Sequence, residues 1–198
     1  MFYVKKSQVP ILIVHFLFLT FYTVRFLSMQ NYEFLLYVAV VIGGFLWILA
    51  TNKKMQYSNL LLWGLTAWSF LHMSGGGIFI NGDRLYGKIL LPIVSDPYFI
   101  FRYDQFVHFV GFGFATLLIY EILKPILKPQ LKTWGALSFV LIMAGLGLGA
   151  INEIIEFLVT TLLPQTGVGG YINTALDLVF DFLGALFGML YIRLKVVS

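Results

Sequence analysis

From about Val9 to Met29 the chain is almost wholly apolar. Comparable runs recur from about Glu33 to Ala50, Ser58 to Met73, Asp104 to Leu123, Thr133 to Leu163 and Tyr171 to Tyr191. Such lengths approach the roughly 17–25 residues that carry a helix through a bilayer. Inside lipid every backbone N–H and C=O needs a partner within the protein, so only helices and closed barrels qualify. Barrel strands alternate apolar and polar residues, whereas these runs are continuous, which leaves helices. The expectation is an all-α polytopic membrane protein: a single integral membrane domain over residues 1–198, built as a bundle of six transmembrane helices. A chain that is 60% hydrophobic and 11% charged leaves no material for a sizeable soluble domain. The first run is long for a signal peptide and lacks a small-x-small cleavage site, so it is expected to stay as a span. With no Cys, disulfides, thiolate metal sites and cysteine nucleophiles are excluded.

Lys and Arg in the connections set the orientation. Six spans put both termini on one side, with Lys5, Lys6, Lys53, Lys54, Lys124, Lys128, Lys132, Arg193 and Lys195. The other side holds Arg25, Arg84, Lys88 and Arg102. Nine against four places both termini in the cytoplasm, and a net charge of +4 distributed this way gives no case for nucleic acid. Ser74-Gly75-Gly76-Gly77 is expected to end the third helix, and residues 74–103 are the only long connection. They mix Asp83, Arg84, Lys88, Asp96 and Arg102 with apolar stretches such as Ile89-Leu90-Leu91-Pro92-Ile93-Val94. That mixture fits a long extracytoplasmic lid segment between helices three and four, lying on the bilayer surface. The fifth run, if helical throughout, exceeds a ~30 Å hydrocarbon core, so it must tilt, kink or protrude, and Gly145, Gly147 and Gly149 offer a place to break.

Charged groups inside such runs are costly and mark function. A rise of about 1.5 Å per residue puts His108 about 6 Å below Asp104. Glu156 and Glu153 lie roughly 10 and 15 Å from the outer end of their helix, and Asp177 and Asp181 roughly 10 and 16 Å down theirs. All fall in the outer half. Residues three and four apart share a helix face, which aligns Asp104, His108, Gly111 and Ala115, then Gly145, Gly149, Asn152 and Glu156, then Asp177, Asp181, Gly184 and Gly188. Gly145-x-x-x-Gly149 and Gly184-x-x-x-Gly188 are expected to bring helices five and six together, with the acids above that contact. Glu156 sits on the glycine stripe, and Glu153 is one turn deeper and slightly off it.

Five acids and a histidine in one pocket cannot all carry charge without a proton or a cation among them. Oxygen and imidazole donors fit a divalent metal ion, Mg²⁺, Mn²⁺, Zn²⁺ or iron, with Asp104, His108, Glu153, Glu156, Asp177 and Asp181 as candidate ligands. His108, Glu153 and Glu156 are the candidates for catalysis as base or acid. Arg84, Lys88, Arg102, Tyr103, Asn152 and Asn173 are candidates for binding an anionic head group or other polar parts of a substrate. The bland alternative is that the acids bond neighbouring Asn, Tyr, Thr or backbone groups and serve helix packing alone. His15, Glu33, Asp83 and Glu121 take that structural reading.

Arg102-Tyr103-Asp104 followed by His108-Phe109, then Asn152-Glu153-Ile154-Ile155-Glu156-Phe157, then Asp177-x-x-x-Asp181-x-x-Gly184-Ala185 carry a family likeness. They resemble the blocks Y-D-x-x-x-H-F, E-[LI]-[IL]-E-[WF] and D-x-x-x-D of the YjdF-like inner-membrane proteins, a domain-of-unknown-function family, over roughly Leu60 to Leu190. The pattern is more distantly similar to VanZ-like proteins, with Asp181 standing where those chains usually have Asn and no match at Glu156 for their Gln. The resemblance implies a six-helix bacterial or archaeal cell-membrane protein whose site is these polar blocks; it implies no reaction. Three functions are therefore weighed on the residues. The first is a metal-assisted enzyme acting on a membrane lipid or isoprenoid at the outer leaflet, including phosphate esters. The others are a proton- or cation-coupled transporter or channel, and a non-catalytic lipid-binding or assembly factor.

Overall fold

A computed structural model of the chain describes residues 3–127 and 134–196. Six long helices carry most of it: α1 (Val9–Ser28), α2 (Tyr32–Met55), α3 (Asn59–Gly77), α4 (Tyr103–Leu123), α5 (Trp134–Leu162) and α6 (Tyr171–Tyr191). Among the described residues, five stretches are long and apolar enough to cross a membrane: Lys6–Ser28, Tyr32–Met55, Tyr103–Ile126, Trp134–Leu162 and Tyr171–Lys195. α3, with Ser69, His72, Ser74 and three glycines in its second half, is not among them. Phe16, Leu17, Phe21, Val24 and Leu27 on α1 face outward, as side chains bordering lipid do. Lys128, Pro129, Lys132 and the expected helix start at Thr133 lie outside the described residues.

The residues group into two compact units, Met1–Lys88 with Val159–Gly167 and Ile89–Leu158 with Val168–Ser198. In the first, Gln8 is buried and donates from Nε2 to the Tyr57 carbonyl at 3.1 Å while accepting from Asn52 Nδ2 at 2.7 Å. That ties the start of α1 to the turn between α2 and α3. Asn31 and Ser58 cap α2 and α3, accepting from Phe34 N and Leu61 N. α2 runs past Ala50 to Met55 and closes on Gln56 in the left-handed region, φ 57°.

The third helix does end within the triple glycine, but only at its last residue: α3 runs through Gly75 and Gly76 and stops at Gly77. A side chain at Gly75 would overlap the Tyr86 ring, one at Gly76 the Phe34 ring and one at Gly77 the Tyr22 ring. Close aromatic packing, rather than helix breaking, accounts for the three glycines. Arg25 donates from Nε to the Gly77 carbonyl at 2.5 Å and so caps the end of α3. His15 is buried, stacked on Phe45 with ring centroids 3.8 Å apart and bonded through Nδ1 to Thr66 Oγ1 at 3.3 Å. Glu33 Oε2 accepts from Arg84 Nη1 and from Gly167 N, each at 2.9 Å. Hydrogen bonds to charged groups are worth about 1.5–3 kcal/mol, so Glu33→Ala is expected to speed amide exchange at Gly167 roughly tenfold to a hundredfold. Exchange at Gly167 unchanged from the parent would show that this carboxylate does not hold the turn.

The connection from α3 to α4 departs from a purely helical protein. It holds two antiparallel hairpins, β1 (Phe79–Ile80) with β2 (Asp83–Arg84), and β3 (Ile89–Val94) with β4 (Ile100–Arg102). The first turns on Asn81-Gly82, both at positive φ, 52° and 86°. Asn-Gly between short apolar or mixed segments is a strong local hairpin signal, and it went unread in the sequence.

In the second unit α4 and α6 pack closely, and glycine makes this possible. A Cβ at Gly184 would stand 3.0 Å from Gly113 N and 3.1 Å from the Phe109 carbonyl carbon, and one at Gly188 3.2 Å from the Gly113 carbonyl carbon. The expected contact of the two glycine pairs is thus corrected. Gly184 and Gly188 receive α4, while Gly145 faces Thr116 and Ala185 and Gly149 faces Asp181. α5 still meets α6, but through Ala185 and Asp181. It also runs unbroken through Gly145, Gly147 and Gly149, because two of the three glycines serve packing and none is needed for a bend.

Candidate functional site

The close approach of α4 and α6 sets the site, since it places Asp104 and His108 of one helix against Asp177 and Asp181 of the other. α5 adds Asn152, Glu153 and Glu156 from a third direction. His108 is buried and its two ring nitrogens look at different carboxylates. Nδ1 lies 2.8 Å from Asp181 Oδ1 and 3.9 Å from Glu153 Oε1, and Nε2 lies 3.8 Å from Asp104 Oδ1. A neutral imidazole has one N–H and one lone pair. Donation from Nδ1 to Asp181 satisfies the shortest of these contacts and leaves the Nε2 lone pair on the Asp104 side.

Asn173 links the other two acids, its Nδ2 donating to Asp104 Oδ2 at 3.0 Å and to Asp177 Oδ2. Asn152 Nδ2 donates to Glu156 Oε1 at 3.0 Å. Four buried carboxylate oxygens have no hydrogen-bond partner among the described residues: Glu153 Oε1 and Oε2, Asp177 Oδ1 and Asp181 Oδ2. Thr174 and Asn152 are side-chain donors that stand beside Glu153. Buried polar atoms are nearly always paired, so four such oxygens around one imidazole call for protons, ordered water or a cation.

Two overlapping triads have the spacing of a metal site. Asp104, His108 and Asp177 form one and His108, Glu153 and Asp181 the other, each with ligand atoms within 4.8 Å of one another. Bonds of about 2.0–2.2 Å to Zn²⁺ or Mg²⁺ need donors closer together than that. Asp104, with its side chain 20% exposed, is the open edge of the cluster.

The glutamate pair changes order relative to its helical spacing. The stripe Leu141, Gly145, Gly149 continues by four to Glu153, which is 8% exposed and belongs to a triad. Glu156 is half-buried and held by Asn152. Among the candidates for substrate contact, Tyr103 is buried with its ring beside Phe106. Asn152 and Asn173 have their amides on carboxylates. Arg84 is paired with Glu33, and Lys88 with Asp83 at 2.8 Å. Arg102 lies over the Phe99 ring, 5.5 Å from its centroid. Two supporting residues escaped the sequence reading. Gln105 is buried and its Oε1 accepts from Phe101 N at 2.5 Å and Arg102 N at 3.0 Å, fixing the entry of α4; its place three residues after Arg102 is the available signal. Gly149 leaves room for the Asp181 carboxylate, a role no spacing rule announces.

A family model described as predicted membrane protein (DUF2238) matches residues 9–196, nearly the whole chain. The chain belongs to that family, which the YjdF-like resemblance fits. No curated protein matches the chain, and neither does any solved structure.

Proposed function

We propose, from this family membership and the buried cluster, that the protein is a metal-assisted enzyme of the cell membrane of a bacterium or archaeon. Its substrate would be a lipid or isoprenoid in the outer leaflet, a phosphate ester being the class that fits best. In this reading α3 crosses as a sixth span, both termini are cytoplasmic and residues 74–103 lie outside as a lid. The observation that carries the proposal is the set of four buried carboxylate oxygens around His108 that accept no hydrogen bond among the described residues. Isolated carboxylates in an apolar bundle are strongly disfavoured, and a divalent cation is the partner that oxygen and imidazole donors suit.

Asp104, Asp177 and His108 Nε2 would hold the cation, and Asp181 would orient the ring by accepting from Nδ1, the arrangement common behind metal-bound histidines. A bound cation polarises a phosphoryl oxygen or lowers the pKa of water. Glu153, beside His108 with its Oε1 3.9 Å from Nδ1, would take a proton. Arg102, beside the open edge at Asp104, is placed to hold an anionic head group.

Protein purified without chelator is expected to retain close to one equivalent of divalent metal by elemental analysis. Chelation should lower its unfolding temperature, and re-addition of the metal should restore it. Turnover of phosphate-ester lipids in vesicles should follow the same loss and recovery. Metal-free protein with chelator-insensitive stability would sink the metal centre, and metal-dependent ion flux without lipid turnover would replace the enzyme with a transporter.

A further inference from the structure

The hairpin of β3 and β4 has a surface that neither water nor hydrocarbon satisfies. Successive strand residues point to opposite faces, and here both faces are apolar and open. Leu90 is 46% exposed, Leu91 58% and Ile93 62%, with Ile89, Val94 and Tyr98 likewise exposed. A partner protein or a second copy laid on a sheet covers one face and leaves the other in solvent. A fluid layer surrounds both. Hydrocarbon is excluded as that layer, since a two-stranded sheet has two free edges whose N–H and C=O groups need polar partners. Water is disfavoured because a contiguous apolar surface of this kind drives association. The lipid head-group region supplies both apolar and hydrogen-bonding neighbours, and it is where Tyr side chains such as Tyr98 concentrate.

The position of the hairpin is also set firmly. Phe101 and Arg102 donate their backbone N–H groups to Gln105 Oε1, and the Phe101 ring lies 5.8 Å from that of Phe180 on α6. The base of the hairpin is thus fastened to α4 and α6, and α4 enters its membrane span directly from β4.

We propose that residues 89–102 form a membrane-immersed hairpin, lying within the head-group layer of the outer leaflet with lipid against both faces. The side of the membrane rests on the topology given under the proposed function. On that topology the phosphate layer lies at the level of Asp104, two residues beyond the end of β4, so that a lipid head group reaches this open edge of the cluster by lateral movement alone.

The absence of Cys allows single-site labelling. Leu90→Cys and Leu91→Cys report the two faces, and Gly87→Cys serves as a control, since a side chain there meets nothing within 4 Å. Each full-length variant is spin-labelled in phosphatidylethanolamine–phosphatidylglycerol vesicles and its collisions with oxygen and with a water-soluble nickel chelate are compared. In intact cells, Gly87→Cys is treated with a membrane-impermeant thiol reagent. The expected result is an oxygen-to-nickel ratio several-fold higher at both Leu90 and Leu91 than at Gly87, with Gly87 modified from outside. Ratios at both faces equal to that at Gly87 overturn the proposal alone. Shielding of one face only, with spin–spin broadening between copies, overturns it in favour of a second copy of the chain. Immersion of both faces with Gly87 modified only from the cytoplasmic side overturns the outer-leaflet assignment together with the topology.

Discussion

His108→Ala is expected to abolish cation retention, lowering divalent-metal affinity by at least about 100-fold, while Asp181→Asn lowers it by about 10–100-fold. The ranking follows from the geometry. His108 belongs to both triads, so its removal dismantles each of them and leaves carboxylates from three helices facing one another with no imidazole between. Asp181 touches the ring through Nδ1 at 2.8 Å. An amide in its place still fills the space beside Gly149 but changes which ring nitrogen carries the proton, and with it the lone pair offered by Nε2. Metal content and the effect of chelator on thermal unfolding, measured on both variants in the same detergent, separate the two steps. A purely structural cluster would give the opposite pattern: lower stability in both variants, no metal in the parent and no response to chelator in any of the three.

Gly184→Ala is expected to destabilise the protein by about 1–3 kcal/mol, whereas Gly113→Ala is expected to be neutral or mildly stabilising. Alanine in place of glycine inside a helix favours folding by about 1 kcal/mol, so space decides the sign. At Gly184 the new methyl would press on backbone, the Phe109 carbonyl group and Gly113 N, and backbone in a helix cannot rotate away. At Gly113 the nearest atom is the Gly184 carbonyl oxygen at 3.4 Å, an ordinary contact. The cost at Gly184 reaches the site as well, since α4 and α6 carry Asp104, His108, Asp177 and Asp181. A lower unfolding midpoint should therefore be accompanied by weaker metal retention. Equal midpoints for Gly184→Ala and the parent would show that the two helices need no such close approach.

Both predictions depend on features of different legibility. Asp104 with His108, and Asp177 with Asp181, were readable as pairs because a spacing of four defines one helix face wherever the helix is placed. The same rule ranked Glu156 above Glu153, and the structure reverses that order. Gly149 is followed at three residues by Asn152 and at four by Glu153, and both steps keep a residue on the same broad face. Periodicity cannot choose between them, because the choice depends on where Asp181 and His108 stand. The glycines misled in the same way. Gly145-x-x-x-Gly149 and Gly184-x-x-x-Gly188 each announce a close approach without naming the neighbour, and the neighbour of the second pair is α4. Ser74-Gly75-Gly76-Gly77 looked like a helix end because glycine disfavours helices. The helix does stop at Gly77, and three aromatic rings packed against its last turn keep it helical up to that residue.

What the sequence by itself determined is the set of long apolar helices and the identity of the acids and histidine carried inside them. Both follow from local physics: the length of an apolar run, and the need of each backbone polar group in lipid for a partner within its own helix. Only the tertiary structure decided that α4 is the helix received by Gly184 and Gly188 of α6, that Glu153 rather than Glu156 stands nearer the imidazole, and that residues 89–102 form a hairpin open on both faces. Those outcomes depend on side chains far apart in the chain competing for the same space, and a helix stripe fixes a direction around one axis without fixing what stands opposite.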